Sequence, residues 1–141
     1  MLDAPRQLYG TILIPSSVFA EYQRGRAAHP QQPDLQSVNW VIVRQTSEDP
    51  LVPASLDAGE REAIALARAV KASRILLDER GARTVAARLH LTVTGSVGVL
   101  LAAKQVALIP MVKPYLDRIV AQGRYISPSL YAQILQQAGE Q

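Results

Sequence analysis

Three acidic residues stand where a folded chain would use them for chemistry: Glu21, Glu60 and Asp78. Asp78 directly follows the apolar run 75–77, which is typical of a buried strand. Ligands of parallel sheets bind outside the carboxyl ends of the strands, so Asp78 is a candidate metal ligand or catalytic acid. The competing interpretation is that Asp78 caps the helix beginning near Arg80, because aspartate is a favoured N-cap.

Glu60 lies on the apolar face of the segment 56–72, whose Ala, Leu, Glu and Arg content predicts a helix. At about 100° per residue, Ile64 and Ala67 fall within about 60° of Glu60. A carboxylate that faces the core is costly unless it is paired or bound to a metal. The alternative is that Glu60 lies in the first turn, where the apolar stripe meets solvent and the helix dipole favours an acid.

Glu21 ends a short apolar helix and by itself has the features of a surface glutamate. Carboxylates gathered from several strand and helix ends would form an oxygen-only site, which suits Mg²⁺ or Mn²⁺ rather than zinc or copper. Such a site serves phosphodiester hydrolysis, in which the metal activates water and neutralises charge on the phosphate. His29 and His90 have no metal-ligand spacing, and the chain has no cysteine, which excludes thiolate ligands and disulfides.

The composition sets wider limits. A length of 141 residues, of which 48% are apolar and 5% aromatic, predicts a single domain with an aliphatic core. The absence of cysteine fits the reducing cytoplasm. No apolar run reaches the roughly 18 residues of a membrane span, and no secretory signal opens the chain. The net charge of +3 permits a polyanionic partner without requiring one.

The elements that must position the acids alternate between strand and helix. The strands read as continuous apolar runs, which predicts an α/β protein with a mostly parallel sheet covered on both faces. Ser16 and Ser17 are candidate caps of the second element, and Asp57 is the candidate cap of the long helix. Strands are predicted at 11–14, 40–43, 75–77 and 91–94, a loop at 24–37, and helices at 18–23, 56–72, 80–89, 96–105, 113–122 and 128–138.

These pieces resemble the PIN-domain superfamily, and most closely a prokaryotic branch related to the virulence-associated protein C toxins. The resemblance covers nearly the whole chain and is most specific from Leu56 to Lys104. It is carried by the stretches TILIPSSVFAEY, LDAGEREAIALA, RILLDERGARTVAARLHLTVTGSVGVLLAAK and LIPMVKPYLDRIVAQGRYISPSLYAQIL.

The resemblance implies a three-layer α/β/α fold and a cluster of acidic residues around Mg²⁺ or Mn²⁺. Carried over by position, Glu21 matches the second acidic residue of that cluster, Glu60 the third and Asp78 the fourth. The resemblance changes the interpretation of Glu21 most, because the residues alone indicated only a surface glutamate. The activity implied is hydrolysis of RNA, with an antitoxin-like protein as a further partner.

The chain departs from the family pattern at its N-terminus. The family begins with a central strand that ends in an Asp-Thr/Ser motif and supplies the first acidic ligand, and no such strand precedes TILIPSSVFAEY here. Without this strand, the strands next to it in the sheet would be left with unpaired backbone groups. Three explanations are open: Met1 is internal to a longer natural protein, the protein is short and closes the gap by rearrangement or dimerisation, or it is an inactive relative.

The sequence therefore predicts a toxin-type, metal-dependent ribonuclease whose activity in this form is weak or absent, with catalytic and metal-binding residues Glu21, Glu60 and Asp78. The alternative is a non-catalytic interaction module with the PIN fold, acting as a homodimer or as the partner of an antitoxin. A DNA-binding regulator is disfavoured, because no recognition helix stands out.

Overall fold

The computed structural model of the protein describes residues 4–32 and 34–140. Within these residues, helices and short strands alternate as far as β4, and helices follow. The strands are β1 (Ile12–Pro15), β2 (Val41–Arg44), β3 (Ile75–Leu76) and β4 (Val93–Thr94). The helices are α1 (Ala4–Tyr9), α2 (Ser16–Ala28), α3 (Ala58–Ala69), α4 (Arg80–Arg88), α5 (Ser96–Gln105), α6 (Lys113–Ala121) and α7 (Pro128–Gln137), with a 3-10 helix at Leu35–Ser37.

The four strands belong to one compact unit, Tyr9–Thr94. Strand β1 pairs in parallel with β2, with Ile12 opposite Val41. Strand β3 pairs in parallel with β4, with Ile75 opposite Val93. The α/β class and the parallel pairing predicted from the apolar runs are therefore confirmed. The pairs form two separate sheets, because no strand within residues 4–32 and 34–140 bonds to both.

A core of aliphatic side chains holds this unit together. Ile64 of α3 and Ala82 and Ala86 of α4 are fully buried, and Ile75 of β3 packs against them. Alanines at these positions let the helices approach closely, and the burial of each larger aliphatic side chain contributes about 1.5–3 kcal/mol. Helix α3 contacts both β1 and β3.

The second helix differs from its prediction. Helix α2 continues to Ala28, so the predicted loop at 24–37 is wrong over its first residues. Gly25 lies inside the helix, and its cost of about 1 kcal/mol is too small to end the helix where alanines follow. The N-cap is Pro15, without a side-chain bond, so the prediction that Ser16 and Ser17 cap this helix is also wrong. Helix α1 was not predicted.

The other compact unit comprises the described residues of Met1–Leu8 and Gly95–Gln141. Its core contains Val112 and Leu116, both fully buried, and side chains of α5 and α7. Glu140 is also buried: its carboxylate accepts the N–H of Val112 at 2.7 Å and of Lys113 at 3.1 Å, and pairs with Lys104 at 3.0 Å. This carboxylate completes the N-terminus of α6. No described helix is long and apolar enough to cross a membrane.

We expect Glu140→Gln to lower the free energy of unfolding by about 1–3 kcal/mol at neutral pH, because two backbone N–H groups lose a charged acceptor. Burial raises the pKa of Glu140, but the N–H of Val112 and the ammonium of Lys104 outweigh it and hold the pKa below its usual value. This stabilisation is present above the unfolded pKa and disappears as the pH falls through the folded pKa.

Urea denaturation between pH 3 and pH 7 measures this difference, with exposed Glu48→Gln as the control. Equal stability of the Glu140→Gln and parent proteins at pH 7 would contradict the role of the carboxylate.

Candidate functional site

The site is built on the first turn of α3. The Asp57 side chain caps this helix, as predicted, by accepting the N–H of Glu60 at 2.8 Å. Glu60 is partly buried, one turn before the fully buried Ile64. Both interpretations of Glu60 therefore hold: it lies on the apolar stripe and in the first turn.

Gly59 brings Glu21 to the same place. Gly59 is buried, and a Cβ atom there would lie 3.2 Å from Cγ2 of Val18 and 3.5 Å from Oε1 of Glu21. The lack of a side chain lets α2 pack directly against the start of α3. This close approach was not found from the sequence.

Glu21, Asp57 and Glu60 line one cavity of about 510 Å³. The rest of its lining is mostly aliphatic and comes from β1, α3 and β3. The structure thus brings together two of the three predicted site residues and adds Asp57, which the sequence identified only as a helix cap. The cavity has the general form of a ligand site, an apolar concave surface with a few polar groups.

The acids at this cavity influence each other's ionisation. Burial raises the pKa of Glu60 to about 7, helped by a hydrogen bond with Asp57 and by the negative charges of Asp57, Glu79 and Glu21. The pKa of Asp57 is lowered, chiefly because Asp57 accepts the backbone N–H of Glu60. At neutral pH, therefore, Glu60 exists as both carboxylate and carboxylic acid while Asp57 stays ionised.

Asp78 does not line this cavity, although the preceding Leu77 does. It is exposed and lines a depression of about 500 Å³ together with Arg80 and Arg83. It does not cap α4, so the competing interpretation of Asp78 is wrong. Glu79 is the cap: it accepts the N–H of Gly81 at 3.0 Å and of Ala82 at 2.8 Å. These bonds lower the pKa of Glu79.

The donors at the cavity are suitable in kind for a hard cation. Glu21 and Glu60 offer oxygen atoms, which Mg²⁺ and Mn²⁺ prefer, and a cation would favour the ionised form of Glu60 against the burial that raises its pKa. Within the part of the chain that the structure describes, however, no three acidic, histidine or cysteine side chains are gathered closely enough to hold a metal ion. The carboxylates of Glu21 and Glu60 thus suit a divalent cation, but the described residues do not supply a complete set of ligands.

These features define an α/β protein with parallel strands and with the carboxylates of two helices at one cavity. The chain belongs to the PIN-domain family: a family model described as DUF3368, a PIN domain, matches residues 1–140. PIN domains are generally nucleases, and they generally use divalent metals. Searches of the curated proteins and of the solved structures returned no match.

We predict that Glu60 makes the protein less stable as the pH rises. Its folded pKa of about 7 exceeds its usual 4.5, so its contribution to the free energy of unfolding is complete below the unfolded pKa and is lost as the pH rises through 7. Glu60→Gln removes this loss. Urea denaturation should therefore show a gain for Glu60→Gln over the parent protein that is larger at pH 8 than at pH 5.

The matched control for this experiment is Glu62→Gln, on the same helix but in a different surface depression. Parallel pH profiles for Glu60→Gln and the parent protein would show that Glu60 titrates normally.

A second prediction separates the two adjacent acids. Glu79→Ala should speed hydrogen exchange at the amides of Gly81 and Ala82, because it removes their acceptor. Asp78→Ala should leave the exchange at these two amides nearly unchanged. The exchange rates are measured by NMR at constant pH. Faster exchange in Asp78→Ala than in Glu79→Ala would show that Asp78 caps the helix.

Proposed function

We propose that this protein is a metal-dependent ribonuclease of the toxin type, with its catalytic centre at the cavity beside the first turn of α3. The observation that carries the proposal is the meeting of Glu21 and Glu60 there, with the pKa of Glu60 raised to about 7. A partly buried carboxylate with a second carboxylate at the same cavity is a suitable pair of ligands for a hard cation. The family supports nuclease chemistry.

Glu21 and Glu60 would hold Mg²⁺ or Mn²⁺, with Asp78 contributing directly or through water. When bound, the ion would supply a Lewis acid that activates water and neutralises charge on the phosphodiester. Asp57 orients Glu60 through the helix cap. Arg80 and Arg83, which share the depression with Asp78, are suited to contact RNA phosphates.

Arg68 is not included with Arg80 and Arg83 as a phosphate contact, because its side chain is paired with Asp49.

The second candidate function is a non-catalytic interaction module, acting as a homodimer or bound to an antitoxin-like protein. The position of Asp78, on a depression separate from the one that holds Glu21 and Glu60, favours it. Metal binding distinguishes the candidates, since only the nuclease needs the ion.

We expect calorimetry to detect Mn²⁺ binding that Glu60→Gln and Glu21→Gln each weaken by about tenfold or more, since even indirect partners of a metal site contribute that much. Cleavage of single-stranded RNA should require Mn²⁺ or Mg²⁺ and should fall in both variants. Glu62→Gln is the control, because it changes the same charge on α3 away from the cavity.

Two results would overturn the nuclease proposal. One is cleavage that is equal in the parent and Glu60→Gln proteins and independent of metal. The other is the absence of both metal binding and RNA binding at low salt, which would favour the interaction module.

A further inference from the structure

Strand β2 has one open edge. Within the part of the chain that the structure describes, it bonds only to β1, in a sheet of two strands. On the paired edge, the N–H of Ile12 donates to the carbonyl of Trp40 at 2.9 Å. Successive residues of a strand direct their backbone groups to opposite edges, so those of Val41 and Val43 point away from β1. The N–H of Val41 accordingly makes a long bond, 3.4 Å, back to Val38.

The side chains along this edge are aliphatic and partly open to solvent. Ile42 is 39% exposed and Val43 is 42% exposed, on opposite faces of the strand. Edge strands are commonly protected from pairing by charged side chains, above all lysine, and by proline. Strand β2 has neither lysine nor proline, and its one charged residue, Arg44, lies at its end. The edge is therefore suited to pairing with a strand of another chain.

The sequence of β2 is complementary to itself when two copies run antiparallel about a two-fold axis at Ile42. Ile42 of one copy would lie opposite Ile42 of the other, and Val41 opposite Val43. The valines would form hydrogen-bonded pairs, because their backbone groups point outward, and the isoleucines a non-hydrogen-bonded pair. Cross-strand pairs of β-branched side chains stabilise a sheet. An axis at Val43 would instead place Ile42 opposite Arg44, and this match would be lost.

The flanking residues match in the same register. Arg44 would lie opposite Trp40 of the second copy, where a guanidinium gains a cation–π attraction from the indole ring. Asn39 would lie opposite Gln45, and two side-chain amides can exchange hydrogen bonds. Asn39, Arg44 and Gln45 are exposed, and Trp40 is partly buried. The complementarity therefore extends over seven residues of each copy.

We propose that the protein forms a homodimer by antiparallel pairing of β2 with β2 of a second copy, about a two-fold axis at Ile42. The pairing would join two sheets of two strands into one sheet of four. Seven residues from each copy make a small interface, so we expect a dimer that dissociates on dilution. This proposal names the interface of the homodimer in the second candidate function. It holds equally for a nuclease, because the pairing needs neither metal nor RNA.

Other partners match this edge less well. A foreign extended segment would satisfy the backbone groups of β2, but the edge offers it no such set of matched side chains as a second copy brings. Strand β4 of a second copy would be a shorter partner, since it has two residues. RNA would place its phosphates, which require cations, against the aliphatic side chains of Ile42 and Val43.

A single cysteine at the axis tests the pairing directly, because the chain contains no other cysteine. Ile42→Cys should give a disulfide-linked dimer in oxidised glutathione, since Cα atoms about 4.5 Å apart suit a disulfide. The controls are Val43→Cys, whose thiols would be diagonal neighbours with Cα atoms about 7–8 Å apart, and Leu51→Cys, outside β2 and 60% exposed. Non-reducing electrophoresis should show about tenfold more linked dimer for Ile42→Cys than for either control.

Charges at the axis test the same pair without a covalent bond. Ile42→Asp and Ile42→Lys should each weaken dimerisation about tenfold, because like charges would face each other. An equimolar mixture of the two variants should recover the association, since an aspartate would then face a lysine. Sedimentation velocity measures the association, and the emission of Trp40, the chain's single tryptophan, follows it at lower concentrations. The recovery separates a lost interface from a misfolded protein.

Three results would overturn this proposal. The first is linkage of Val43→Cys or Leu51→Cys that equals or exceeds that of Ile42→Cys, which would indicate another axis or random collision. The second is a monomeric parent protein whose Ile42→Cys variant does not link. The third is a mixture of the two charged variants that associates no better than either variant alone. The nuclease proposal would be unaffected, because its own tests measure Mn²⁺ binding and RNA cleavage.

Discussion

The contact between α2 and α3 at Gly59 is the constraint on which the site depends. A Cβ atom there would lie 3.2 Å from Cγ2 of Val18, which would have to shift by a few tenths of an ångström, and at an ordinary contact distance of 3.5 Å from Glu21. Because α2 follows β1 without a linker and α3 packs against β3, the same contact fixes where the two sheets stand relative to the helix. One absent side chain thus sets both the carboxylate pair and the cavity beside it.

Burial and, to a smaller extent, repulsion between carboxylates determine how the acids beside α3 ionise. Hydrogen bonds keep Asp57 ionised, whereas burial, with the nearby Asp57, favours the protonated form of Glu60. A divalent cation would displace the proton of Glu60.

The sequence predicted the parts of the site that depend on local patterns. The amphipathic stripe around Glu60, the cap at Asp57 and the strand before Asp78 were all found correctly, because helix periodicity and capping are properties of short segments. The choice between Asp78 and Glu79 as a cap was not predictable, since neighbouring acids compete through backbone geometry. The approach of Glu21 to Gly59 joins residues far apart in the chain, which no local pattern records.

The bonds of the Glu140 carboxylate with Val112, Lys113 and Lys104 have a consequence for biosynthesis. The N-terminus of α6 is completed by a residue that the ribosome adds only after all of α6 and α7. Until then, the N–H groups of Val112 and Lys113 lack their acceptor, and the ammonium of Lys104 lacks its carboxylate. Contacts between residues so distant in sequence form late. The helical unit therefore reaches its final packing only once translation has passed Glu140, whereas Tyr9–Thr94 has all of its own residues earlier.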